Sequence, residues 1–134
     1  MKRLLACHLT LWMFVYSMNY WLAWSNLDYT LNVKADMNCR SKDVVYVTRC
    51  SGCGENYIGE TGMELKDRVT VHKQQIRDPN VRCLGVSKHI DDCGNGKFTI
   101  FPFYKLYTSN KQLRLEKEQM FIKLMKPKLN SRMY

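Results

Sequence analysis

The chain has 134 residues, 46% hydrophobic and 25% charged, with 21 basic against 12 acidic side chains. That length suits one modest core, and the composition excludes a disordered tail or a collagen-like rod. A net charge of +9 favours polyanionic partners, nucleic acid or an anionic membrane, over acidic proteins.

The charge is unevenly spread. Every residue from Leu4 to Leu27 is uncharged, and that run holds all three tryptophans, Trp12, Trp21 and Trp24. Lys2 and Arg3 before an apolar stretch, with Ala23-Trp24-Ser25 beyond it, resemble a secretory leader. Leu4 to Trp24 is also long enough to cross a bilayer, although His8, Thr10, Ser17, Asn19 and Tyr20 dilute it. The alternative is an upstream stretch that contributes nothing to the chemistry. The expected organisation is therefore an apolar segment, 1–27, followed by a basic domain, 28–134. That domain carries 19 of the basic side chains and all 12 acidic ones.

Asn38 to Asp43 is polar and reads as irregular. Val44-Val-Tyr-Val-Thr reads as a β-branched strand, Cys50-Ser-Gly-Cys-Gly as a turn, and Asn56-Tyr-Ile-Gly as a second strand. With Ser51 and Gly52 as the tip, Cys50 faces Cys53 and Tyr46 faces Tyr57, each pair on one face of the ribbon. Thr61-Gly-Met-Glu64 has the form of a capping box, opening a helix from about Met63 to Arg77 that Asp78-Pro79 ends. Its apolar stripe is Leu65, Val69 and Ile76. His72 lies on that stripe, with Arg68 one turn before it.

Val86 to Ile90 reads as a short helix closed by Cys93-Gly94. Phe98 to Tyr107 reads as a third strand, which Pro102 places at an edge or on a bulge. Ser109-Asn-Lys-Gln112 caps a last helix running to about Lys126, stopped by Pro127. Leu115, Ile122 and Met125 form its apolar stripe, and Glu118 lies in the middle of it. An acid there needs a cation, a metal or hydrogen bonds, unless the helix is rotated and Glu118 pairs with Arg114 at the surface. No internal repeat or low-complexity tract is present.

The cysteines beyond Cys7 number five, Cys39, Cys50, Cys53, Cys83 and Cys93, a poor disulfide framework. Cys50-x2-Cys53 at a turn is the geometry of a zinc knuckle, and His89 and Cys93, at i and i+4, have the spacing of a second ligand pair. Cys39 is a further candidate ligand. The alternative is a set of reduced, partly buried thiols.

Taken in order, Val44-Val-Tyr46, Tyr57-Ile-Gly59, Arg68 with His72, Glu118 in Glu-Gln-Met-Phe-Ile-Lys, and Pro127-Lys-Leu-Asn130 resemble the GIY-YIG nucleases. Cys39 through Val-Val-Tyr, Cys50-x2-Cys53 and Tyr-Ile-Gly-Glu-Thr is most similar to the endonuclease domain of Penelope-like retroelements. Val44-Val-Tyr46 departs from the first motif of the family's pattern at its first two residues, with valine in place of the glycine. The resemblance covers about Cys39 to Asn130 and implies an α+β fold, a small three-stranded antiparallel sheet flanked by helices.

It further implies a metal-dependent endonuclease that nicks DNA by phosphodiester hydrolysis, with nuclear localisation unless the apolar segment directs the chain to a membrane or for secretion. Glu118 would hold Mg²⁺ or Mn²⁺, and Arg68 would meet the scissile phosphate. Tyr57 would take a proton from water, helped because a cation and Arg68 favour phenolate. Tyr46 would hold the water or relay the proton, and His72 is an alternative base. Asn130 would fix backbone or the groups behind the site. A structural Zn²⁺ would sit on Cys50, Cys53, His89 and Cys93. Lys105, Lys111, Arg114, Lys117, Lys123, Lys126, Lys128 and Arg132 would grip DNA backbone with little sequence preference. Competing readings are a binding module on the same fold without turnover, and a membrane-anchored or secreted protein whose fold is incidental.

Overall fold

Runs of β-branched and aromatic residues build the sheet. In a computed structural model, residues 13–15, 21–24, 29–32, 37–50, 52–78, 80, 89 and 98–131 are described. Three short strands come first: β1 (Met13–Val15), β2 (Trp21–Trp24) and β3 (Tyr29–Asn32). Then follow β4 (Val44–Cys50), β5 (Asn56–Thr61), α1 (Leu65–Arg77), β6 (Phe98–Lys105), α2 (Lys111–Met125) and α3 (Lys128–Ser131). The main sheet has the order β1-β6-β4-β5; β2 and β3 form a separate antiparallel pair. The three strands expected downstream are all present and antiparallel, and β1 adds a parallel fourth beside β6.

The hairpin register differs from expectation by two residues. Tyr46 stands opposite Gly59 and Thr48 opposite Tyr57, because the connection is a four-residue loop, 51–54, with Gly54 at φ +75°. Cys50 and Glu55 close that loop: the Cys50 amide donates to the Glu55 carbonyl at 2.9 Å, and the Gly54 amide to the Cys50 carbonyl at 2.9 Å. A shift of two keeps parity, so Tyr46 and Tyr57 still share a face, as diagonal neighbours. Pro102 lies opposite Tyr46 at a bulge between Val45 and Tyr46, where a missing N–H costs no ladder bond.

Helix α1 starts at Leu65, two residues after the expected position, and the capping box does not form. The Thr61 hydroxyl accepts from the Met63 amide instead. The free N–H groups of the first turn go to backbone: Leu65 donates to the Ser41 carbonyl at 3.0 Å and Lys66 to the Cys39 carbonyl at 2.7 Å. The polar 38–43 segment therefore acts as the cap. In α2, Asn110 is the N-cap, accepting from the Gln112 and Leu113 amides, and Lys126 ends the helix in the left-handed region before Pro127.

The buried stripe of α2 is Arg114, Phe121 and Met125, one position round from the expected Leu115, Ile122 and Met125. Phe121 meets Phe103 edge-on with ring centroids 4.9 Å apart and Tyr104 at 5.4 Å, aromatic contacts that favour this face of the helix. Val44, Val45, Tyr46, Val47, Ile58, Leu65, Val69, Ile100 and Leu129 complete the core. Helix α1 reaches the Tyr46 phenol through Arg68 and His72, and α2 reaches Glu60 through Arg114. Among the described residues no helix is long and apolar enough to cross a membrane. The expected short helix at 86–90 and Cys93 lie outside the described residues, apart from His89, which is helical and buried.

Candidate active site

The face of β4 and β5 that meets α1 carries the two tyrosines. Gly59 makes room for the first of them: a Cβ there would stand 2.5 Å from the Tyr46 hydroxyl and 2.6 Å from its ring carbon. The phenol therefore lies flat against bare backbone and is fully buried. Its oxygen accepts from Arg68 Nε at 3.1 Å and shares a hydrogen bond with His72 Nε2 at 2.7 Å. Arg68 and His72 reach one oxygen because they are one helical turn apart on α1.

Burial dominates the electrostatics here. It pushes Tyr46 up to about 12 despite the opposing pull of Arg68, so this phenol keeps its proton. Burial, then the Arg68 charge, pushes His72 down to about 3, which leaves a neutral ring whose Nε2 can accept from Tyr46. Tyr57 packs edge-on to the same imidazole at 6.2 Å and, at 9% exposure, is the less buried tyrosine.

Glu118 approaches from α2. It is half-buried, and burial first, then the neighbouring Glu60, push its carboxyl up to about 7, while Arg68 pulls the other way. Its helical neighbour Arg114 does not pair with it at the surface. Arg114 is buried and donates to Glu60 at 2.8 Å and to Asp43 at 2.7 Å. Three carboxylates, Asp43, Glu60 and Glu118, thus gather near two guanidiniums, Arg68 and Arg114. That leaves one excess negative charge. Asn130, fully buried, sits at the outer edge of β5, its amide accepting from the Ile58 N–H at 2.7 Å and donating to the Ile58 carbonyl at 2.8 Å. It supplies the missing strand partner for the peptide that follows Tyr57.

The model of the GIY-YIG catalytic domain matches residues 42–130, well over half of the chain. The chain belongs to the GIY-YIG family. No curated protein and no solved structure matches it. GIY-YIG membership gives this chain a nuclease-type fold and a nucleic-acid substrate, and it coincides with the segment that supplies Tyr46, Tyr57, Arg68, His72, Glu118 and Asn130.

A second cluster lies at the closed end of the GIY-YIG hairpin. Ligand atoms of Cys50, Cys53 and His89 all lie within 4.8 Å of one another, with Cys53 Sγ 3.2 Å from His89 Nε2. Glu55 Oε2 lies 3.2 Å from the other ring nitrogen, Nδ1, a close contact without hydrogen-bond geometry. A carboxylate behind an imidazole is the usual support for a metal-binding histidine. Cys39 is disulfide-bonded, so the expectation that it offers a free thiolate does not hold.

The basic residues divide into two groups. Lys111, Lys123, Lys126 and Lys128 are exposed. Lys105 donates to the Lys42 carbonyl at 3.2 Å, and Lys117 lies over the Tyr104 ring at 5.5 Å. Arg114 leaves the expected DNA-gripping set, because its donors are committed to buried carboxylates. Arg132 lies outside the described residues.

Sequence reasoning missed Glu60, Glu55 and the function of Gly62. Glu60 had a readable sign: strand alternation puts it on the face of buried Ile58, where a carboxylate needs a cation. Gly62 had none, since its purpose is to admit Arg114; a Cβ there would stand 2.7 Å from a guanidinium nitrogen.

Proposed function

We propose that this chain is a divalent-metal-dependent DNA endonuclease, of the kind carried by Penelope-like retroelements, that nicks one strand by phosphodiester hydrolysis. The observation that carries this reading is the convergence of Tyr46, Arg68, Tyr57 and Glu118 from four different elements. Packing alone has no use for an acid and an arginine beside two tyrosines. Glu118 suits a hard divalent cation: burial and Glu60 both penalise its charged form, and a cation offsets both. When bound, Mg²⁺ or Mn²⁺ supplies Lewis acidity for the phosphoryl oxygens.

The protein groups divide the remaining work. Tyr46 is an anchor, a protonated phenol hydrogen-bonded to both Arg68 and His72. It fixes the guanidinium, whose remaining N–H groups meet the scissile phosphate and stabilise the charge that develops there. Tyr57, the less buried phenol, would act as its phenolate: it takes a proton from the attacking water as the new oxygen–phosphorus bond forms and the bond to the leaving oxygen breaks, and solvent protonates that leaving oxygen. His72 serves Tyr46 as acceptor rather than serving water as base. Asn130 keeps Tyr57 in place through the Ile58 peptide. The exposed lysines of α2 and α3 contact backbone phosphates, giving strong salt dependence and little sequence preference. Cys50, Cys53 and His89 suit a structural zinc, and the i+4 spacing of Cys93 after His89 in the sequence makes it the proposed fourth ligand.

The test is nicking of supercoiled plasmid with Mg²⁺ or Mn²⁺ against chelator. Wild type nicks only with metal. Glu118→Gln loses on the order of a thousandfold or more in rate while DNA binding persists or tightens. Arg68→Ala weakens binding and rate together. A wild-type protein that binds DNA and never nicks it with either metal overturns this reading in favour of a binding module without turnover.

A further inference from the structure

Arg114 is unlike every other cation of α2. It is buried, and its fork makes three hydrogen bonds: to Glu60 at 2.8 Å, to Asp43 at 2.7 Å and to the Ser109 carbonyl at 3.2 Å. Those partners come from three separate pieces of chain: the entrance of β4, the end of β5 and the loop before α2. Gly62 leaves the space that the guanidinium fills. The planar fork has fixed donor directions, so satisfying three acceptors at once fixes how far α2 is rotated about its axis.

Glu118 lies four residues after Arg114 on the same helical face. Any rotation of α2 that releases Arg114 therefore also swings Glu118 away from Arg68. A purely stabilising role fits the composition of this cluster poorly. Buried ion pairs are weak contributors to stability, and this one holds two acids for one base beside a third acid. Such an arrangement costs electrostatic energy at rest and is useful where a cation will sit.

We propose that Arg114 is a positioning residue for the catalytic centre: by clamping Glu60 and Asp43 it sets the rotation of α2 and so the place of Glu118 opposite Arg68. The proposal rests on the nuclease reading above. Asp43 gives it a remote handle. This residue is in the left-handed region at φ 54°, which asparagine tolerates, so Asp43→Asn keeps the backbone while weakening the clamp from its far end.

The experiment measures Mn²⁺ binding to the DNA-free protein by titration calorimetry, with melting temperature and single-turnover nicking alongside. Arg114→Lys keeps the charge and loses the fork. It is expected to weaken Mn²⁺ binding and slow nicking by at least about tenfold, with DNA affinity nearly unchanged. Asp43→Asn is expected to weaken Mn²⁺ binding by about threefold or more, on the same argument from misplacement. It decides alone if the lysine variant does not fold. Wild-type Mn²⁺ affinity and rate in these variants, with only a lower melting temperature, overturn the positioning role and leave the nuclease reading standing. A wild-type protein that binds no Mn²⁺ and does not nick overturns both.

Discussion

The β4–β5 hairpin carries two clusters of opposite chemistry. At its closed end are two thiols, an imidazole and one supporting carboxylate; around Gly59 are two phenols, two guanidiniums and three carboxylates. The first set is compact and local, drawn from the loop plus one distant histidine. The second is assembled from β4, β5, α1 and α2, and none of its members lies next to another in sequence. The contrast is one of purpose. A hairpin loop with an exposed tip is suited to a soft cross-link, while a phosphate-handling centre needs charges placed by several rigid elements at once.

The sharpest way to break the comparison is Gly59→Ala. The added Cβ lands on the Tyr46 hydroxyl, which is buried and held by two hydrogen bonds, so the ring has nowhere to move. Overpacking should cost about 1–3 kcal/mol in denaturant unfolding. Displacing Arg68 should reduce nicking by about a hundredfold. A variant with wild-type rate would show that the Tyr46–Arg68 contact is dispensable.

A smaller effect is expected at the closed end. Glu55→Gln should weaken zinc binding by about 10–100-fold in competition with a chromophoric chelator, because the carboxylate behind His89 is lost. Cys53→Ser should lower the melting temperature more than it alters the rate per folded molecule. Purified protein without zinc, and with unchanged melting in chelator, would remove the metal from this end.

The smallest expected effect is a pH dependence of stability. The folded state holds His72 down from 6.5 to about 3, so between those values the unfolded chain binds the proton that the folded one refuses. Stability from this group is fully present above pH 6.5 and is lost as pH falls toward 3. Glu118 acts oppositely: raised from 4.5 to about 7, it makes the folded state gain stability as pH falls through that window. Urea unfolding in a Glu118→Gln background isolates the histidine. Adding His72→Gln should flatten the remaining slope, and an unchanged slope would mean that His72 is not held neutral.

Much of the frame was readable before any coordinates. β-branched runs and Pro127 as a stop report local backbone preference and lie where the pattern puts them, and the cap of the last helix, Asn110, falls within the Ser109–Gln112 stretch expected to supply it. The misreadings came from choices that local chemistry leaves open. A two-residue tip and a four-residue loop both suit Ser-Gly-Cys-Gly, and the register followed the loop. Thr61 matched a capping box, yet the helix N-terminus found the Cys39 and Ser41 carbonyls, which lie more than twenty residues earlier. Leu115 and Phe121 offered α2 two apolar faces, and contacts from distant parts of the chain, Phe103 on Phe121 and Glu60 and Asp43 on Arg114, favour one of them.

The sequence by itself determined the family order of motifs, the strand and helix types, and the parity that puts Tyr46 and Tyr57 on one face. These depend on short-range periodicity and on residue types with few conformational options. Tertiary structure alone decided that Tyr46 is hydrogen-bonded to His72, that Glu118 keeps company with Glu60 and Arg68, and that Arg114 turns inward to two carboxylates instead of outward to solvent. A charge reads the same in sequence wherever it lands. Its partners and its burial are set only when separate elements close around it, and those two quantities decide what it can do.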